Sequence, residues 1–424
     1  MFTSRQRVQA ALNHQELDRV PLDLGASAVT GMHASSVYKL RQAFQLDPPG
    51  TPVKVIEPYQ LLGEIQPDLI EVLGVDVVGL MGPRTMFGFE NNGWKPWTTF
   101  DGTPVLVPAG FNTELEPNGD LLMYPEGDRS VSPSGRMPSG GYYFDTIVRQ
   151  PPIVESSLTV EDNLEEFGPI TDADLKHFRT EAARLAATGK GVLASFGGTA
   201  FGDIALVPVP WVKHPKGIRD IEEWYVSTSA RRDLVYKIFE RQCELGLANL
   251  EKIRQVVGDS VDAVFVTGTD FGTQSGPFIS IKSYRNLFKP FHQAVNNWIH
   301  TNTHWKSFIH SCGSVAAMIP EFIDAGFDIL NPVQTSAFGM DPAGLKEKFG
   351  SQITFWGGGV DTQHTLPEGT PEQIYAEVTE RLRIFGKGGG FVFNTVHNVQ
   401  PRISTENLMA LYQAVKDNAA YARH

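Results

Sequence analysis

An α/β chain folded as a (β/α)8 TIM-type barrel is predicted by three observations. From about residue 172 onward, helix-period segments alternate with short apolar runs. The runs end in glycine or a polar residue, which is the signature of repeated βα units. With two upstream candidates the runs number eight, enough to close a barrel. A length of 424 residues with 41% hydrophobic content suits one large barrel or two ordinary domains, and the repeated rhythm predicts a single domain over 1–424 with an insertion within it.

In chain order, the start MFTSRQRVQAALNHQE reads as an amphipathic polar helix without the apolar core of a signal peptide. Strands are predicted at 19–25 and 76–80. Residues 82–152 then break the rhythm. They are rich in glycine, proline and aromatics, carry Pro117-Asn-Gly-Asp120 between alternating runs, and predict a β-hairpin-rich insertion near the barrel mouth. Its aromatics Trp94, Trp97, Tyr124, Tyr142, Tyr143 and Phe144 have two readings, a lid over a ligand or the small core of the insertion itself. The remaining strands are predicted at 191–196, 263–266, 307–309, 329–332, 353–357 and 390–393. Helices between and after them are predicted at 173–188, 222–257, 282–301, 315–325, 342–349, 371–385 and 405–417. Asp172, Thr370 and Ser404 stand where an N-cap helps, and Pro371 suits a first helical position. Pro320 predicts a kink or a late start for the helix at 315–325.

A formal net charge of −12 with no lysine or arginine cluster argues against nucleic acid as a partner. No run reaches the roughly 18 residues of unbroken apolar character that a membrane span needs, so a cytoplasmic chain is expected. The two cysteines, Cys243 and Cys312, predict no disulfide framework, and Cys243 within a helical run reads as a small buried thiol.

Barrel chemistry belongs at the C-terminal strand ends, where the βα loops converge. His310-Ser-Cys312 leaves such an end with an imidazole and a thiol two residues apart, on one side of an extended chain, and soft nitrogen and sulfur donors suit zinc. The bland reading is a packed loop with a satisfied histidine. Asp270 and Gln274 follow another strand, as do Gln334, Asp361, and the group Asn394, His397, Asn398 and Gln400. Asp270 either caps its own loop as an Asx turn or acts on substrate. Asp361 either forms a turn or serves a ligand that Gly357-Gly-Gly359 lets approach the backbone. His397 with Asn398 reads as a buried hydrogen-bonded pair or as part of the site. Gly388-Gly-Gly390 precedes a strand instead of following one, and neither a Walker A lysine motif, a GxSxG elbow nor HExxH is present.

The blocks DRVPLDLG, TGTDFGTQSGPFISIKSYRNLFKPF, FIHSCGSV, DILNPVQTSAFGMDPAGLKEKFG, FWGGGVDT and GGGFVFNTVHNVQP, in this order along nearly the whole chain, resemble the uroporphyrinogen decarboxylase superfamily. The resemblance implies a (β/α)8 barrel and one of two chemistries. These are cofactor-independent decarboxylation of porphyrinogen acetates, or methyl transfer with a zinc-activated thiol and a corrinoid protein as methyl carrier. The decarboxylase branch carries an arginine-rich RQAGRY-like segment near its first strand and an aspartate at the next strand end. Here those regions read Gly25-Ala-Ser-Ala-Val-Thr-Gly31 and Gly79-Leu-Met-Gly-Pro83, without the arginines that an octacarboxylate needs. The methyltransferase branch carries His-x-Cys and a second cysteine near the last strand. His310 and Cys312 match the first part, whereas the second region reads Asn394-Thr-Val-His397. Either His397 takes the place of the missing sulfur, giving two imidazoles and a thiolate, or the metal has been lost.

The resemblance thus predicts a methyltransferase-like enzyme acting on a small methylated substrate or a corrinoid carrier. His310, Cys312 and His397 would be metal ligands. Asp270, Asp361 and His397 would serve in catalysis, and Gln274, Gln334 and Asn398 in substrate binding. The alternatives are a metal-free decarboxylase or lyase on a small carboxylated substrate, and a ligand-binding barrel without chemistry. The chain lacks a cobalamin-binding Asp-x-His-x-x-Gly signature, so the corrinoid is expected on a partner protein; relatives also suggest a homodimer.

Overall fold

The computed structural model describes residues 2–421. Its centre is a seven-stranded parallel sheet with neighbours in chain order: β1 (Val77–Leu80), β2 (Gly191–Ala194), β3 (Ala263–Thr267), β4 (Lys306–His310), β5 (Ile329–Asn331), β6 (Thr354–Trp356) and β7 (Phe391–Val392). Residues 20–24 complete the circle. Leu22 bridges Phe393 in parallel, and its carbonyl accepts the Asp76 N–H at 2.7 Å, so this eighth segment joins β7 to β1. The predicted barrel and all of its strand positions are therefore present.

One device recurs at the bottom of the barrel. Asp76, Asp262 and Asp328 each stand one residue before a strand, and each carboxylate accepts a backbone N–H from the preceding strand: Leu22 at 2.9 Å, Val192 at 2.9 Å and Ser307 at 2.8 Å. The side chain thus extends the ladder beyond the last backbone pair. Asp76 is fully buried and also receives Arg19 through two hydrogen bonds, of 2.6 and 2.9 Å, and Arg7 at 3.4 Å. Arg7 lies on α1 (Ser4–Leu12), whose Val8, Ala11 and Leu12 pack with Val77, Leu193, Ala263, Phe308, Ile329, Trp356 and Val392 inside the barrel. The amphipathic N-terminal helix is the plug of the barrel floor.

The helices follow the prediction with two divisions. The run at 222–257 breaks at Arg231 into Ile221–Ala230 and Arg232–Val257. There the Ser227 and Thr228 hydroxyls donate back to the carbonyls of Glu223 and Tyr225, which weakens the helix next to the break. The run at 282–301 breaks at Phe288, where Pro290 begins a new helix, Lys289–Asn302. The helix containing Pro320 starts late, at Ile319, as proline demands. Thr171, not Asp172, caps Asp172–Ala186, while Ser404 caps its helix as predicted. Thr370 and Gln373 form a full capping box on Pro371–Gly386. Thr370→Ala is expected to cost about 1 kcal/mol in a denaturant titration, the usual value of such a cap.

Within 82–152, strands Lys95–Thr98 and Pro104–Val107 pair as a hairpin, and Glu114–Leu115, Leu121–Met123, Gly135–Met137 and Asp145–Thr146 form a four-stranded meander. The hairpin recruits Val53–Glu57 and Leu62–Gly63 from outside that segment. Phe144 is buried against Phe87 and Phe111, and Trp97, half-buried, packs on Phe111, so these aromatics pack the segment's own core. Tyr142 instead faces the barrel: its carbonyl meets His33, and its ring carries the Arg402 guanidinium at 4.6 Å. Among the described residues no helix is long and apolar enough to cross a membrane.

Candidate metal centre

His310 is the last residue of β4, and three residues on the chain turns through Gly313 at φ +84°. A Cβ on Gly313 would lie 2.5 Å from the Gly272 carbonyl, so the loops after β3 and β4 touch backbone to backbone. This contact sets Cys312 beside the β3 loop. Its N–H donates to Asp270 Oδ1 at 2.6 Å, and its Sγ lies 3.3 Å from His310 Nε2. His397, in the loop after β7, brings its ring to 5.5 Å from that of His310, centre to centre. One nitrogen of each histidine and the sulfur all lie within 4.8 Å of one another. Below them Phe265, half-buried, stacks on His310, and Phe308 packs on Phe265, an aromatic floor.

This setting keeps the group uncharged. Burial pushes His310 down to about 4 against the opposing bond to Asn331, and burial together with His310 pushes His397 down to about 4. Burial, reinforced by the Asp270 carboxylate, holds the Cys312 thiol well above its ordinary range. Asp270 itself is raised by burial. Neutral imidazoles are the metal-binding form, so only the thiol must lose a proton. Two imidazoles and one thiolate converging from two loops fit zinc with a fourth position open.

The other predicted residues are placed as follows. Asp270 does not cap its own loop by an Asx turn; its carboxylate reaches across to Cys312. Gln334 Oε1 accepts the Gly313 N–H at 2.8 Å, and its amide donates to Gln274 Oε1 at 3.2 Å, so the two glutamines brace the Cys312 loop. Asn398 is occupied by Gly31, Ala28 and Gln60, and it ties the loop after β7 to the first strand's loop rather than to His397. Asp361 binds the Gln363 N–H and His364 within its own turn. A Cβ on Gly359 would lie 2.3 Å from the Phe393 ring, so the close approach that this glycine run allows is to the neighbouring strand.

Three residues absent from the sequence reading adjoin the group. Asp203, buried in the loop after β2, is pushed up to about 7 by burial, with Asp270 adding to the effect. Tyr225 donates its hydroxyl to the Asp270 carbonyl at 3.0 Å. Asn331 pairs with His310 across β4 and β5 and meets its ring nitrogen at 2.6 Å. Its signal was an amide inside an apolar strand, in register with a candidate ligand.

Residues 217–418 match the family described as Uroporphyrinogen decarboxylase (URO-D). Among curated proteins, the uroporphyrinogen decarboxylase of Magnetococcus marinus is 30% identical over 101 residues, which is 24% of this chain and 26% of that protein. That of Pseudoalteromonas translucida is 32% identical over 94 residues, 20% of this chain and 26% of that protein. The match thus spans about a quarter of the length of these relatives. Among solved structures, a methyltransferase from Methanosarcina mazei shares the fold with a TM-score of 0.54 and 16% identity, covering 98% of this chain and 99% of that one. Residues 217–418 thus resemble the uroporphyrinogen decarboxylase family, and they lie on a barrel whose fold the Methanosarcina mazei methyltransferase shares.

Proposed function

We propose that this chain is a methyltransferase-like enzyme that moves a methyl group between a small methylated substrate, or a corrinoid carried by a partner protein, and a thiol-type acceptor. The observation that carries this reading is the convergence of His310, Cys312 and His397 at the barrel mouth. The solved methyltransferase of the same fold agrees with it. These three residues would hold zinc, which when bound lowers the pKa of an acceptor thiol and so supplies a nucleophile at neutral pH. Asp270 fixes the Cys312 backbone, Gln334 and Gln274 hold its loop, and Phe265 stacks beneath His310 with Phe308 behind it. The first strand's loop lacks the arginines that porphyrinogen carboxylates require, so substrates are expected to be small.

Purified protein is expected to carry near one zinc per chain by elemental analysis. Zinc-loaded protein should demethylate methylcobalamin in the presence of a small thiol, followed by the change in corrinoid absorbance. Zinc-free protein that nonetheless decarboxylates small carboxylic acids would move the reading to a lyase built on Asp203 and Asp270.

A further inference from the structure

We infer that Asn331 is a positioning residue that selects the tautomer of His310 and aims its Nε2 lone pair into the cluster; the inference rests on the metal reading above. The Asn331 amide is fully buried, and its orientation follows from its neighbours. Its Nδ2 lies 2.8 Å from the Trp356 carbonyl, which can only accept, so the NH2 end must face that way. Oδ1 then faces His310 Nδ1 at 2.6 Å. Nδ1 must carry the proton, since a bare Nδ1 would set two acceptors against each other at that distance. In the neutral ring Nε2 is therefore unprotonated, and Nε2 is the atom 3.3 Å from Cys312 Sγ. In the resting arrangement Cys312 donates its S–H to that lone pair, and a metal ion would take the place of this proton.

The pairing is written into the sheet. His310 and Asn331 are register partners on β4 and β5, and the Trp356 carbonyl belongs to β6, so three adjacent strands hold one imidazole through one amide. Tautomer and ring angle are thus set by the barrel frame and not by a mobile loop. Histidine ligands whose other nitrogen is held in this way lose about 10–100-fold in metal affinity when the holding group is removed.

The test uses the full chain and cobalt(II), whose thiolate charge-transfer absorption reports the Cys312 bond, with affinity measured by competition against a chromophoric chelator. Native protein is expected to bind one cobalt with that absorption, and Cys312→Ser to lack the absorption. Native protein that takes up no cobalt defeats the metal reading and this inference with it. Asn331→Leu removes the acceptor and should bind about 10–100-fold more weakly. Asn331→Asp keeps an acceptor for Nδ1–H and, with its carboxyl protonated toward the Trp356 carbonyl, should bind more tightly than Asn331→Leu, with the absorption intact. Native binding unchanged in a folded Asn331→Leu overturns the inference while leaving the metal reading in place. Should Asn331→Leu fail to fold, as judged by circular dichroism, the nitrogen-15 NMR spectrum of native metal-free protein decides: a His310 ring protonated at Nδ1 supports the inference, and one protonated at Nε2 overturns it.

Discussion

Asp76→Ala is expected to lower the stability of the barrel by about 3–5 kcal/mol, the range for removing one partner of a buried ion pair. Asp76 has no exposure, and its two oxygens serve the Arg19 guanidinium and the Leu22 N–H together. The truncated protein would leave a charge and a backbone donor unmatched at the joint between the first segment and β1. Arg19 retains 28% side-chain exposure and regains part of its hydration from that side, which places the cost in the lower half of the range. The joint also bears on topology, because the Asp76 backbone and side chain supply the hydrogen bonds that tie Leu22 to the start of β1. Urea unfolding measures the loss as a lower midpoint at unchanged slope. A midpoint no lower than that of Thr370→Ala would show that the barrel closes without this joint.

The same aspartate shows why the fold was legible in the sequence and where legibility stopped. In Asp76-Val-Val, Asp262-Ala-Val and Asp328-Ile-Leu a carboxylate precedes each apolar run, so the strand and its start signal lie next to each other in the chain. The barrel strands were read correctly because each is a local apolar run ending in glycine or a polar residue, and Pro320 gave the late helix start by an equally local rule. The break at Arg231 was missed because hydroxyls that bond back to the helix leave the apolar period intact. Val53–Glu57 was missed because its partners, Leu62–Gly63 and Pro104–Val107, lie on either side of a barrel strand in the sequence.

The candidate site divides in the same way. His310 and Cys312 were visible together because one residue separates them, whereas His397, read at its own strand end, entered as a ligand only through the resemblance, since no spacing rule connects positions 310 and 397. Asp203 and Tyr225 come to Asp270 through the packing of a long loop and a helix, which no local pattern encodes. Asn398 and Asp361 have the residue types of a site and the right strand ends. Both are consumed by the loops they hold, Asn398 by Gly31, Ala28 and Gln60 and Asp361 by Gln363 and His364. A polar residue at a barrel mouth must also satisfy the turning backbone around it, and sequence alone does not divide that demand from chemistry.

The largest effect is expected at Cys312, and its pH dependence distinguishes a ligand from a bystander. Both imidazoles are held neutral down to about pH 4, by burial and in the case of His397 also by His310, so above that value they have no proton to release. The thiol is held protonated through neutral pH by burial and by Asp270. Metal uptake by native protein must therefore expel one proton, from Cys312, and affinity should rise about tenfold for each pH unit between roughly pH 5 and 8. The sign is fixed: the bound state carries fewer protons than the free state, so higher pH favours it. Cys312→Ser is expected to lose more than about 100-fold in zinc affinity at neutral pH, beyond the cost of losing a supporting partner alone. What affinity remains, through His310 and His397, should vary less steeply with pH over the same interval, because neither imidazole changes its protonation there and Asp203, pushed up to about 7, titrates only beside them. Chelator competition at several pH values measures both slopes on one protein pair. A native slope near zero, or equal slopes in the two proteins, would remove Cys312 from the ligand set and with it the thiolate on which zinc-assisted methyl transfer at this site depends.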